Sequence, residues 1–252
     1  MKKLIIDAHC HLFTNDAALG FVSGSTFDEF VQELDGCGVE KFILFTIGGL
    51  FRDFQKSNDE IRNMYQKFPE RIIPFGTTNP WYGEEALAEI DRCVNVLGMK
   101  GFKLHPWMMG FAINSVQMLP VMERISDYGM PVLVHSGTVP WSEPLQIAYL
   151  ASQFPKVQFI LAHMGITDLW KEAIDAARRY SNIWLETAGT PTVAIKTALQ
   201  EIGPERIIFG SDSPYGGVGG CQFQMNKLKY LKLGKHAEAL LLGENLRRIL
   251  NI

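Results

Sequence analysis

A chain of 252 residues with 47% hydrophobic and 20% charged side chains carries enough apolar material to bury a large core, which excludes a disordered chain. Its 24 basic and 27 acidic residues leave a net charge of −3, and no run of Lys or Arg is long enough to follow a phosphate backbone, so nucleic acid is not an expected partner. The opening MKKLIIDAHCH is interrupted by Asp7 and His9 before a signal-peptide core forms, and no stretch reaches the roughly 18 apolar residues that span a bilayer. No membrane association and a cytoplasmic location are expected. Nothing marks a linker, so residues 1–252 are read as one domain.

In chain order, the first predicted strand is LIIDAH (4–9). Thr26 with Glu29 reads as a capping box opening a helix whose Phe27, Phe30, Val31 and Leu34 form one apolar stripe. KFILFTI (41–47) is the second strand, and Ser57 with Glu60 reads as the capping box of the next helix. RIIPFGT (71–77), MKGFKLH (99–105), PVLVH (131–135), VQFILAH (157–163) and NIWLET (182–187) follow as strands. Thr190 before Pro191 reads as an N-cap with proline at the first helical position. RIIFGSD (206–212) is the eighth strand, and GENLRRIL closes the chain as a helix.

Eight strands alternating with helices over this length predict a single-domain (β/α)8 TIM barrel. The alternative, an open doubly wound sheet, lacks its GxGxxG after the first strand. Gly216, Gly217, Gly219 and Gly220 come after the last strand with the wrong spacing and read as a flexible loop. Cys10, Cys37, Cys93 and Cys221 contain no CxxC pair and read as free thiols, with Cys10 turned to the face opposite its neighbouring histidines.

Of the six histidines, His9, His11, His105, His135 and His163 stand at the ends of predicted strands, as does Asp212. In a parallel barrel those ends converge on one mouth. Residues i and i+2 of a strand face the same way, so His9 and His11 can bind one ion together, with Asp7 on that face deeper in the barrel. A lone histidine on an apolar strand is more often a core residue than a ligand, but imidazoles with a carboxylate form a donor set for Zn2+, Mn2+, Fe2+ or Co2+. Lys103 reads as a cation for a substrate carboxylate, and His105 as a supporting partner. Arg52 is a candidate anion contact, while Phe13, Trp81, Trp107 and Trp141 are candidate aromatic walls or loop packing. No GxSxG, Walker A or HExxH motif is present.

DAHCH, GFKLHP, VHSG, LAHMG, FGSDSP and GENLRRIL occur in an order that resembles the amidohydrolase superfamily, in the branch that includes aminocarboxymuconate semialdehyde decarboxylase. The resemblance implies that His9, His11, His135 and Asp212 hold a divalent metal, zinc first, with one ion favoured over two. It implies that Asp212 also handles protons, and that His163 is catalytic or ligates a second ion. Lys103, His105, Arg52 and Trp107 are then substrate-binding candidates for a small carboxylated molecule, in a homodimer; the alternative that the resemblance implies for Lys103 is a carboxylated lysine bridging two metals, as in some binuclear members. The expected activity is hydrolysis of an amide, ester or lactone through a metal-activated water. The alternative is non-oxidative decarboxylation of an unsaturated or aromatic acid; a nuclease or an inactive metal-binding barrel are the remaining readings.

Overall fold

The structure is a computed structural model that describes residues 4–12, 26–51, 53–166, 168–215 and 220–252. All eight predicted strands form: β1 Ile6–Leu12, β2 Lys41–Thr46, β3 Ile72–Pro74, β4 Phe102–Leu104, β5 Val132–His135, β6 Phe159–Ala162, β7 Ile183–Glu186 and β8 Ile207–Ile208. Neighbours pair in parallel in the orders β1-β2-β3 and β4-β5-β6-β7-β8. Two seams join these sheets into a ring. Gly76 bridges to Phe102 between β3 and β4, with Lys103 N–H donating to Gly76 O at 2.8 Å. At the other seam Cys10 bridges to Ser213, and His11 N–H donates to Ser213 O at 2.9 Å. A helix follows every strand, which makes the (β/α)8 barrel the sequence predicts.

Strand alternation divides the core into two layers. Phe42, Leu44, Phe102, Val132, Val134, Phe159, Leu161, Ile183 and Leu185 face outward into the layer packed by the helices. Ile6, Ala8, Ile43, Ile73, Phe75, Leu133, Ile160, Trp184 and Ile208 fill the barrel interior, and Leu246 and Ile249 of the closing helix, Asn245–Leu250, pack into the same cluster. Above this apolar filling the inward positions turn polar: Lys103, His135 and Glu186 lie at the ends of β4, β5 and β7.

The strict period of two fails in β1. Asp7 pairs with Phe42 but Cys10 pairs with Leu44, so three residues of β1 advance against two of β2. The extra residue is a β-bulge, which shifts the alternation by one. Ile6 and Ala8 therefore face the interior below it, while Cys10 and Leu12 face the helices above it. His9 and His11 point into the barrel, and Asp7 does not share their face as expected, because it lies on the other side of the bulge. Its Oδ1 instead accepts the N–H of His9 at 3.0 Å and of Ser211 at 2.9 Å, tying the bulge to the chain leaving β8. Cys10 faces away from the histidines, as expected.

The helix starts agree less uniformly. Thr26 and Glu29 form their capping box ahead of Phe27–Gly36. Ser57 does not begin a helix: Asp53 caps Phe54–Lys67 one turn earlier, accepting the N–H of Lys56, and Ser57 lies within it. Thr192–Ile202 begins one residue later than expected, with Pro191 extended at the cap. Gly220 is the first residue of the helix Gly220–Tyr230 rather than part of a loop, while Gly216, Gly217 and Gly219 lie outside the described residues.

Gly101 shows how tightly the interior is filled. A Cβ there would meet the ring of Phe75 at 2.4 to 2.8 Å. Gly101→Ala should destabilise the barrel by about 1–3 kcal/mol, as overpacking does, and lower Tm in a thermal melt. Adding Phe75→Leu should restore part of the loss; a Gly101→Ala protein melting at the wild-type temperature would show that the ring has room to move.

Candidate metal centre

Eight inward side chains meet at the mouth: His9 and His11 from β1, Lys103 and His105 from the end of β4, His135 from β5, His163 following β6, Glu186 from β7 and Asp212 following β8. All but Glu186 line a cavity of about 330 Å3, together with Ile47, Trp107, Met108 and Tyr215. Trp107 thus lies at the pocket as expected, half exposed. Trp81 and Trp141 do not line it, and Trp81 instead donates Nε1–H to Gly110 O. Arg52 and Phe13 lie outside the described residues.

His9 Nε2 lies 3.2 Å and His11 Nε2 2.9 Å from the same oxygen, Asp212 Oδ1. His9 Nδ1 lies 3.1 Å from the Glu186 carboxyl, and an ionised Glu186, which can only accept, puts the His9 proton on Nδ1. Burial, then the nearby charge of Lys103, holds His9 well below the usual imidazole range. With that tautomer the neutral ring turns its Nε2 lone pair towards the pocket, where the Lys103 ammonium and Asp212 also lie. His9, His11 and Asp212 each offer a ligand atom within 4.8 Å of the others, and two imidazoles with a carboxylate fit a divalent ion by the chemistry of their atoms. Among the described residues, His11 Nδ1 is buried without a hydrogen-bond partner. Burial raises the Asp212 carboxyl, but the His11 hydrogen bond and the charges of His163, His11 and Lys103 outweigh it and leave it below its ordinary value.

His135 borders this trio without joining it: its Nε2 is paired with Thr138 Oγ1 at 3.1 Å, and its ring stacks on His105 with centroids 3.8 Å apart. His105 is held in the pocket by that stacking, with Nδ1 unpartnered. His163 Nδ1 donates to Ala188 O at 3.1 Å, and burial lowers its pKa to about 4. Ser136 Oγ–H donates to Ala162 O and is turned away from any pairing with its histidine neighbour.

Lys103 is fully buried, with Nζ 3.3 Å from His9 Nε2 and 4.9 Å from the Phe45 ring centre. Burial lowers its pKa to about 8, against the raising effect of Asp212 and Glu186.

Glu186 is the residue that sequence reading missed. It is fully buried and, with His9 and His163, forms a second group with metal-like spacing. Its oxygens are already committed: Oε2 accepts from His9 Nδ1 and the His163 N–H, and Oε1 accepts the Ala188 N–H. Burial pushes its carboxyl up to about 8, which these backbone donors oppose. The available signal was a single charge inside NIWLET, at a strand end and in phase with the inward Trp184.

Known proteins agree with this architecture. A stretch 25% identical over 124 residues, 45% of this chain but only 33% of the relative, matches the 2-amino-3-carboxymuconate-6-semialdehyde decarboxylase of Dictyostelium discoideum. The 5-carboxyvanillate decarboxylase of Sphingomonas paucimobilis superposes over 100% of both chains at a TM-score of 0.78 and 17% identity. A dihydroxybenzoic acid decarboxylase from a Polaromonas species, with bound manganese and the inhibitor 2-nitroresorcinol, superposes over 99% of this chain and 97% of that one at 0.77 and 19%. The family model described as Amidohydrolase matches residues 6–252, and the chain belongs to that family.

Proposed function

We propose that this protein is a metal-dependent non-oxidative decarboxylase of a small aromatic or unsaturated carboxylic acid. This is the second of the two activities expected from sequence; the decarboxylase relatives support it over hydrolysis, which sequence reading placed first. The observation that carries the metal dependence is the convergence of His9 Nε2 and His11 Nε2 on one oxygen, Asp212 Oδ1, at 3.2 and 2.9 Å. His9, His11 and Asp212 would hold one divalent ion, with His135 as a further ligand. Zinc is the first candidate and manganese the second, because imidazoles with one carboxylate suit both. A bound divalent ion supplies a Lewis acid for the substrate's oxygens.

Lys103 lines the pocket, and an ion on His9 Nε2 would take the acceptor that lies 3.3 Å from its ammonium. A substrate carboxylate provides one, which favours the carboxylate-binding role over a bridge between two metals. Loss of carbon dioxide leaves an electron pair on the carbon, and a proton must reach it. Asp212, ionised near neutrality, takes a proton from the substrate or from solvent and returns it to that carbon; His163 presents Nε2 to the pocket and shares this duty. His105 and Trp107 wall the substrate ring, and a cavity of about 330 Å3 suits a single-ring acid. Arg52 remains an anion contact in the proposal. No helix among the described residues is long and apolar enough to cross a membrane, and a cytoplasmic homodimer completes the reading.

Metal analysis of His9→Ala, His11→Ala, His135→Ala and Asp212→Ala proteins should show most bound ion lost, with circular dichroism unchanged. A variant that keeps full occupancy leaves the ligand set. Incubating zinc- or manganese-loaded protein with a panel of hydroxybenzoates and carboxylated unsaturated acids should release carbon dioxide. Hydrolysis of amides or lactones without that release would return the reading to a hydrolase.

Lys103→Met should raise KM for the acid while leaving metal content intact. In the wild type the ammonium predominates below about pH 8 and is lost above it, so KM should climb with pH above that value, by about tenfold per unit. A flat KM profile in both proteins would remove Lys103 from substrate binding. Asp212→Asn keeps the shape but not the basicity, so kcat should fall by about 10² to 10⁴ in protein reloaded with metal. Near-wild-type kcat would reduce Asp212 to a ligand.

A further inference from the structure

Glu186 touches two histidines with different duties. Its Oε2 lies 3.1 Å from His9 Nδ1, and by accepting a proton there, as an ionised carboxylate does, it makes Nε2 the lone-pair nitrogen aimed at Asp212. The same oxygen accepts the His163 N–H at 3.0 Å. Its Oε1 accepts the Ala188 N–H, fixing the peptide segment whose carbonyl receives His163 Nδ1–H at 3.1 Å. One carboxylate thus holds the proton on Nδ1 of His9 directly and on Nδ1 of His163 through Ala188. The barrel also keeps a space for it: a Cβ at Gly210 would lie 2.1 Å from Glu186 Oε1 and 2.6 Å from its carboxyl carbon.

We propose that Glu186 is a positioning residue that sets the tautomers of His9 and His163 together, so that both rings turn Nε2 towards one point in the pocket. It is not itself a ligand, because every hydrogen bond it makes occupies an oxygen that an ion would need. The inference rests on the metal-centre reading for its consequence, but not for the tautomers, which belong to the protein alone. A carboxylate behind a metal-binding histidine fixes ring orientation and raises ligand basicity. Here the same group also orients a histidine proposed for proton transfer, coupling metal affinity to turnover through a residue that touches neither ion nor substrate.

The test is nitrogen NMR of histidine-labelled full-length protein, metal-free and zinc-loaded. In the metal-free wild type both His9 and His163 should carry their proton on Nδ1; a proton on Nε2 of either would overturn the proposal without any variant. Glu186→Gln, with a single acceptor oxygen, should mix the tautomers of at least one of the two rings. It should also weaken zinc binding by about 10- to 100-fold, the usual loss for such partners. Gly210→Ala should shift the same signals, because it displaces Glu186 without removing charge. Unchanged nitrogen shifts and unchanged zinc affinity in Glu186→Gln would reject the role. A wild type with two zinc ions and a variant with one would instead make Glu186 a ligand. If the wild type binds no ion, the metal reading falls, and the metal-free tautomers still decide what Glu186 does.

Discussion

The barrel holds His9 Nε2 3.2 Å from Asp212 Oδ1, the same oxygen that His11 Nε2 approaches at 2.9 Å. Neither group can turn away. Glu186 holds the far side of the His9 ring, and the Asp212 backbone sits in the left-handed region at φ +61°, where its carbonyl accepts the Tyr215 N–H at 2.9 Å. His163 is held likewise, at φ +64° with its carbonyl accepting the Ile166 N–H at 2.8 Å. Such backbone costs about 1–2 kcal/mol per residue for a side chain bearing a Cβ. The buried apolar layers beneath, from Ile6 to Ile208, supply the stability that offsets this cost.

The bulge in β1 makes the arrangement geometrically accessible. With an unbroken strand, apolar Ile6 and Ala8 would sit on the face opposite His9 and His11, and one set would have to leave the interior. The extra residue lets the same strand present apolar atoms to the floor and imidazoles to the mouth. Asp7 fixes the bulge by accepting from His9 and from Ser211, so it joins the first and last strands at the level where the ligands begin. A residue that reads as a deep member of the site is a fastening for its backbone.

The strands were legible because each is a short β-branched or apolar run bounded by turn residues, and five histidines at their ends marked the mouth. The bulge was not, because nothing local in IDAHCH distinguishes it from regular alternation, and the Ser211 N–H that fastens Asp7 beside it comes from the far end of the chain. Ser57 lost to Asp53 for a local reason, since a carboxylate one turn earlier caps the helix at the buried Phe54. Glu186 escaped because a single glutamate in a strand carries no motif, and its partners are contributed by β1, the turn after β6 and the turn after β7. His135 shows the reverse limit: its position was legible but its present pairing with Thr138 was not.

Lys103 separates the two chemistries that share this donor set. In hydrolysis the group polarised at the ion is a neutral carbonyl, and a buried ammonium beside it has no anion to pair with until charge develops. In decarboxylation the substrate enters already anionic, and the ammonium compensates that charge. Burying a cation is costly, and the lowering of Lys103 to about 8 records a cost that Asp212 and Glu186 offset only in part. A carboxylated ligand adds a further counter-charge, whereas a neutral ligand adds none. The position of one amine, 3.3 Å from a histidine nitrogen that faces the proposed ion site, therefore biases this pocket towards acids even before the identity of the metal is considered.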